Sequence, residues 1–263
     1  MVENLSSPMA PDLGARVERE RAAYDAGIDR KRYVSLLASH AGHQAGLARA
    51  RIAEAALSAT PLRRVLELGE WAWLDWLERT GLAPAELVCV NISQRELDHG
   101  IIRSRHTRLK PTFMLMDAHD LAFPDGHFDA VIGWGILHHL DLGRALDEVA
   151  RVLAPGGVMV FSEPLDMNPV ARLVRRLTPK ARTPDEIPFR AAELAAIRAR
   201  FDVRVTYEQL LSVPVGVASR LLLPHPDNPL TRAAHAFDHG LQRRLPRLGA
   251  WYRKATFVGR PRR

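Results

Sequence analysis

Arg64 to Glu78, RVLELGEWAWLDWLE, is the stretch whose reading decides the fold. Its first half has the composition of a buried strand: Val65, Leu66 and Leu68 are apolar, Glu67 sits near the strand end, and Gly69 opens a tight turn. Its second half reads as a helix. Strand, glycine turn and helix in that order expose free backbone N–H groups at the carboxyl edge of an α/β sheet, where nucleotide-like ligands lie. The ligand site is therefore expected at this turn.

Downstream the pattern repeats. Leu87 to Val90 predicts a second buried strand ending at Asn91-Ile92-Ser93, with Ser93 as N-cap of the helix QRELDHGIIRSRH. Thr112 to Met116 predicts a third strand that delivers Asp117-Ala118-His119-Asp120, and Pro124 with Asp125-Gly126 makes a turn. Ala130 to Trp134 predicts a fourth strand, with Gly135 to Leu140 at its carboxyl end. Asp141 caps a helix carrying Leu142, Leu146, Val149 and Leu153 at helical spacing. Pro155-Gly156-Gly157 stops that helix, and Val158 to Phe161 predicts a fifth strand running into Ser162-Glu163-Pro164. Phe201 to Tyr207 and Ala255 to Gly259 supply a sixth and a seventh. Upstream, residues 15 to 57 read as two helices, the second starting near Asp29, with a partial apolar face that includes Tyr24, Tyr33, Leu36, Leu37, Leu47, Ile52 and Leu57. His40 and His43 in that segment have no carboxylate or cysteine pattern beside them and are expected as partly exposed polar residues.

Glu67-Leu68-Gly69 resembles the start of the acidic-x-Gly-x-Gly-x-Gly loop of class I S-adenosylmethionine-dependent methyltransferases, and the resemblance runs through Asp117-Ala118 and the stretch Gly135 to Pro164 to cover roughly residues 63–207. It implies a Rossmann-like α/β fold, a seven-stranded sheet with the last strand antiparallel and helices on both faces. One domain spans 1–263: a helical cap over 1–58, a cofactor-binding core over 61–207, a helical lid insertion over 208–250, and the last strand and tail over 251–263. It also implies S-adenosylmethionine as cofactor, with contacts from Glu67, Gly69, Trp71, Asn91, Ile92, Asp117, Ala118 and Trp134. Asp117 would accept from the adenine amine. Asn91 stands where the family usually has an acidic residue on the ribose, so the charge-assisted part of that contact is missing.

Trp71 and Trp73 occupy the positions of the second and third glycines of that loop. A glycine there permits positive φ or close backbone approach to the ligand, and an indole does neither. Three outcomes are open: a cofactor stacked on an indole, a different ligand, or a filled pocket in a scaffold protein. A non-methylating enzyme on the same fold is a further alternative. Trp73, Trp76 and Leu77 also share one helix face, which suits packing on the sheet. Methyl transfer needs alignment, and a base only if the acceptor loses a proton. His138, His139 and Glu163, at strand ends, are the candidate bases, with a structural role for the histidine pair as the alternative.

Composition narrows the rest. The chain has 263 residues, 47% hydrophobic and 25% charged, enough for one large α/β core. Its single cysteine, Cys89, excludes intramolecular disulfides and multi-cysteine zinc sites and points to the cytoplasm. The N-terminus has neither a basic leader nor an apolar core, and no apolar run approaches a bilayer span. The net charge of +7 is scattered along helices without interleaved aromatics, so no nucleic-acid partner is expected. A small-molecule substrate is the expected partner. The insertion over 208–250, interrupted by Pro214 and Gly216, is expected to pack over the substrate cleft in preference to a membrane surface.

Overall fold

The computed structural model describes residues 13–27, 40–69, 72–168, 172, 176 and 185–262. Trp71, Tyr33, Leu36 and Leu37 lie outside the described residues. The strands are β1 (Arg64–Leu68), β2 (Glu86–Asn91), β3 (Thr112–Leu115), β4 (Phe128–Trp134), β5 (Leu153–Pro164), β6 (Phe201–Glu208) and β7 (Lys254–Pro261). They form one sheet in the order β3-β2-β1-β4-β5-β7-β6. β1 to β5 pair in parallel, whereas β7 runs antiparallel to both β5 and β6. The sheet has the form expected from the strand–helix alternation, and its last strand is reversed as the family resemblance implies.

The sheet is buried on both faces, and the period of two assigns each strand residue to one of them. Leu66, Leu68, Val88, Val90, Val131, Met159 and Phe161 pack with Leu146 and Val149 of one helix and Leu194 and Ile197 of another. Val65, Leu87, Cys89, Ile132 and Val160 face the other way, onto Ala53, Leu57, Trp73, Trp76 and Leu77. The helices are α1 (Leu13–Ala26), α2 (His40–Ser58), α3 (Gln94–Ser104), α4 (Leu142–Val152), α5 (Ala191–Arg200), α6 (Ser212–Leu222) and α7 (Pro229–Arg244). Ser93 and Asp141 cap α3 and α4 as their sequence positions suggest, accepting from the backbone N–H groups of Glu96 and Arg144.

Two sequence expectations are corrected here. His40 is buried, its Nε2 2.9 Å from the Leu223 carbonyl, because α2 meets α6 closely at this point. Gly216 permits that approach: a Cβ there would stand 2.4 Å from the Ala41 Cα. Of the insertion over 208–250, Gln209 alone lines the cleft and its two helices do not. α6 packs on α2 and α7 packs on α6, so the pair buttresses the cleft wall from outside. Asp238 of α7 fixes it by accepting N–H groups from Leu210, Leu211 and Ser212 at 2.8–3.0 Å. Leu221 and Leu222 are left facing solvent.

Candidate active site

A cleft of about 800 Å³ opens along the carboxyl edge of the parallel strands, walled by α1, α2 and the turns after β1, β2, β3 and β4. Gly69, Asn91, Ile92, Asp117, Ala118, Trp134, His138 and His139 all line it. The sheet order explains the convergence: β1, β2, β3 and β4 end side by side, so residues far apart in sequence share one edge.

The turn after β1 is built by Glu67. Because Val65 and Glu67 share a strand face, the Glu67 side chain points toward Trp73 and away from the cleft. Fully buried, it accepts the backbone N–H of Ala72, that of Trp73 at 3.1 Å, and the Cys89 thiol at 3.3 Å. The carboxylate thereby caps the helical segment made of a π-turn over Trp73–Leu77 and a short α-turn over Glu78–Thr80. Glu67 does not line the cleft; it holds the loop that does. Gly69 needs its glycine, with φ at +94° and its N–H bonded to the Val90 carbonyl at 2.9 Å.

Trp73 and Trp76 are fully buried in the core beneath α2 and line no part of the cleft. The indole at the third glycine position of the loop therefore packs behind the turn and leaves the cleft open. The packing alternative raised by their spacing is the one realised.

Asn91 closes the opposite rim. Its Nδ2 donates to the Gly69 carbonyl at 3.4 Å and its Oδ1 accepts the Ser93 N–H at 3.0 Å, tying the β1 and β2 turns together. At the end of β3, Asp117 Oδ1 accepts the His119 N–H at 3.0 Å and pairs with His119 Nδ1 at 2.7 Å. The Asp141 N–H donates to His119 Nε2 at 2.8 Å, so the ring proton sits on Nδ1 and points at Asp117. Partial burial raises the Asp117 carboxyl, but the His119 hydrogen bonds outweigh it and hold the group below the ordinary aspartate range. One carboxylate oxygen is thus committed to His119, leaving Oδ2 as the acceptor for a donor in the cleft.

The other side of the cleft lies beyond β4. Glu163 is fully buried at the end of β5 and does not line the cleft. Its Oε1 accepts N–H groups from Ile136 and Leu137 at 3.1 and 3.0 Å, and its Oε2 lies 2.7 Å from His138 Nδ1. Burial lifts its carboxyl to about 7 against the pull of those N–H groups. The expectation of Glu163 as a base in the cleft is corrected accordingly: it orients His138. His139 is held by α1, with Glu20 Oε2 3.1 Å from Nδ1 and the Tyr24 hydroxyl 3.1 Å from Nε2. Arg16 of the same helix donates to the His139 carbonyl at 3.0 Å, fixing the turn on which both histidines sit.

Glu20 and Tyr24 were missed from the sequence although their i, i+4 spacing places them on one helix face. Glu186, 3.9 Å from His138 Nε2, was missed as well. His138, His139 and Glu186 bring one potential metal-ligand atom each within 4.8 Å of one another, but both His139 nitrogens already face Glu20 and Tyr24. As arranged, each histidine is hydrogen-bonded outside the cluster, His138 to Glu163 and His139 to Glu20 and Tyr24.

Residues 68–161 match the model of a methyltransferase domain family. The chain is 37% identical over 117 residues to a demethylmenaquinone methyltransferase of Thermus thermophilus, covering 44% of this chain and 53% of that protein. It is 35% identical over 104 residues to a fatty-acid O-methyltransferase of Mycolicibacterium smegmatis, covering 38% and 37%. The matches span about half or less of the length of these curated relatives. Among solved structures, geranyl diphosphate C-methyltransferase from Streptomyces coelicolor A3(2) superposes with a TM-score of 0.53 at 16% identity, covering 76% of this chain and 73% of that one, a likeness of fold.

Proposed function

Because residues 68–161 carry a methyltransferase domain on a class I fold, we propose that the chain transfers the methyl group of S-adenosylmethionine to a small apolar metabolite. The observation that carries this reading is the division of one cleft. On the β1–β3 side stand a positive-φ glycine turn and an aspartate with one carboxylate oxygen left for a donor; on the far side stand two oriented histidines. When bound, the cofactor supplies an electrophilic methyl group.

The residues of this chain do the rest. Asp117 Oδ2 would accept the adenine amine, the Ala118 N–H would meet the ring, Asn91 and Ile92 would flank the ribose, and the Gly69 turn would offer its backbone to the amino-acid end. Trp134 contributes aromatic surface to the cleft. Across the cleft His139 is the base: Glu20 orients Nδ1, and Nε2 takes the Tyr24 hydroxyl proton as that hydroxyl takes one from an acceptor hydroxyl. His138 is positioned by Glu163 beside it. The relatives named for demethylmenaquinone and a fatty acid support an apolar acceptor. Among the described residues no helix is long and apolar enough to cross a membrane, which together with the buried lone Cys89 supports a cytoplasmic enzyme.

The test is release of S-adenosylhomocysteine from S-adenosylmethionine over a panel of quinols, phenols and fatty acids. Turnover with one class, reduced about 10²–10⁴-fold by His139→Ala, supports the proposal. No product with any acceptor would overturn it.

A further inference from the structure

The acceptor half of the cleft ends in a group of cations. β7 runs antiparallel, so its first residue lies at the carboxyl edge of the parallel strands: Lys254 pairs with Pro164 at the end of β5 and with Glu208 at the end of β6. Lys254, Arg253, Arg49 and Gln209 all line the cleft. The Lys254 Nζ lies 4.9 Å from the Trp134 ring centroid and the Arg49 Cζ lies 4.7 Å from it, so two cations share one indole.

Carboxylates also reach this end of the cleft. Arg49 is bound to Glu208 across 3.2 Å, with both side chains buried. Its Nε is nevertheless buried without a hydrogen-bond partner, which carries a desolvation cost. The charged groups facing Lys254 include Arg49 from α2, Arg253 just before β7, Glu208 from β6 and Glu163 from β5. Burial raises both of those carboxyls, Glu163 to about 7, which reduces the negative charge they offer. Burial, Arg49 and Arg253 together hold the Lys254 amine well below the ordinary lysine range.

The backbone beside it is strained. Gln209 is the one non-glycine with positive φ among the described residues, at 69°, and it is buried. That turn lets Gln209 receive Arg253 twice, its carbonyl accepting the Arg253 N–H at 3.1 Å and its Oε1 accepting Arg253 Nη1 at 2.7 Å. The guanidinium is thus held in place at the cleft wall, next to Lys254.

We propose that Lys254 and Arg253, with Arg49 behind them, form an anion-binding subsite, so that the acceptor is an apolar metabolite bearing a carboxylate or phosphate group. The subsite rests on the methyltransferase reading only for its role; anion binding itself does not require the cofactor. An anion placed here meets three basic side chains that line the same end of the cleft and favours the ammonium form of Lys254. Binding is then accompanied by proton uptake.

The experiment is calorimetric titration of the full chain with dodecanoate, dodecyl phosphate and 1-dodecanol, below their micellar concentrations and without cofactor. One or both anions are expected to bind at least tenfold more tightly than the alcohol, and which of them binds more tightly identifies the head group. The binding enthalpy is expected to vary with the ionisation enthalpy of the buffer, reporting proton uptake. Lys254→Met and Arg253→Met, checked for folding by a thermal melt, should lose the preference, whereas Lys254→Arg should retain it. Equal affinity for anion and alcohol in the wild type would overturn the proposal without reference to any variant. Failure of cofactor binding in a separate titration, with the anion preference intact, would count against the methyltransferase reading alone.

Discussion

Replacing Glu67 by glutamine tests how the turn after β1 is held. The carboxylate is fully buried and takes the Ala72 N–H on one oxygen and the Trp73 N–H, at 3.1 Å, on the other. Glutamine keeps one oxygen and puts an NH₂ group where the second stood, so one backbone N–H faces a donor. A hydrogen bond to a charged group contributes about 1.5–3 kcal/mol, and stranding a buried N–H costs about 1–3 kcal/mol more. The two overlap, and the expected loss for Glu67→Gln is about 2–4 kcal/mol. In urea this lowers the midpoint by roughly 1 M if the slope is about 3 kcal/mol/M, or the melting temperature by roughly 5–10 °C. The assay is urea denaturation followed by tryptophan fluorescence, with Cys89→Ala as a control, because the thiol contact at 3.3 Å is weak and its loss should cost much less. A Glu67→Gln midpoint within experimental error of wild type, at unchanged slope, would refute the claim that this carboxylate holds the loop.

Glu163→Gln should change the pH dependence of stability. Burial holds the folded carboxyl at about 7 against 4.5 for an ordinary glutamate, so the native state keeps a proton that the unfolded chain releases. Its contribution is therefore fully present below pH 4.5 and lost as pH rises through 7. The variant removes that slope, and its stability relative to wild type should rise across the window by on the order of 3 kcal/mol; parallel curves from denaturation at each pH would contradict it. Trp73→Ala should destabilise by about 3–5 kcal/mol while leaving S-adenosylhomocysteine affinity of the folded protein unaltered, because the indole lies behind the turn. Lost affinity at unchanged stability would place that indole in the pocket. Asp117→Ala should weaken S-adenosylhomocysteine by about 1–3 kcal/mol, roughly five- to 150-fold in Kd, and unchanged affinity would show that the adenine lies elsewhere.

The sheet was legible because its strands are buried on both faces and separated by capped helices: Val65 to Leu68, Leu87 to Val90 and Val158 to Phe161 announce themselves by composition alone. The reversed β7 came from resemblance, since nothing local distinguishes an antiparallel strand of this length. The site was half legible. Asp117, Ala118 and the histidine pair follow strand ends, where position and chemistry coincide. Glu20, Tyr24, Arg49 and Lys254 line the cleft only because α1, α2 and β7 are brought to it by long-range packing, and their sequence neighbourhoods are those of ordinary surface helices and a strand start. Glu67 and Glu163 were read as facing the ligand because both sit at strand ends. One pleat period decides otherwise for Glu67, which caps a helix from behind, and burial makes Glu163 the support of a histidine. The insertion after β6 reads as a lid by composition, yet a glycine crossing at Gly216 docks it on the outside of α2.

The central claim is that the cleft, with an indole packed behind its loop and a tryptophan at the second glycine position, binds the methyl donor. Calorimetric titration of S-adenosylhomocysteine into the purified full chain tests it most directly. The account expects one-to-one binding in the micromolar range, about −8 kcal/mol, weakened by Asp117→Ala. Absence of binding heat at millimolar ligand, confirmed at a second temperature, would contradict it.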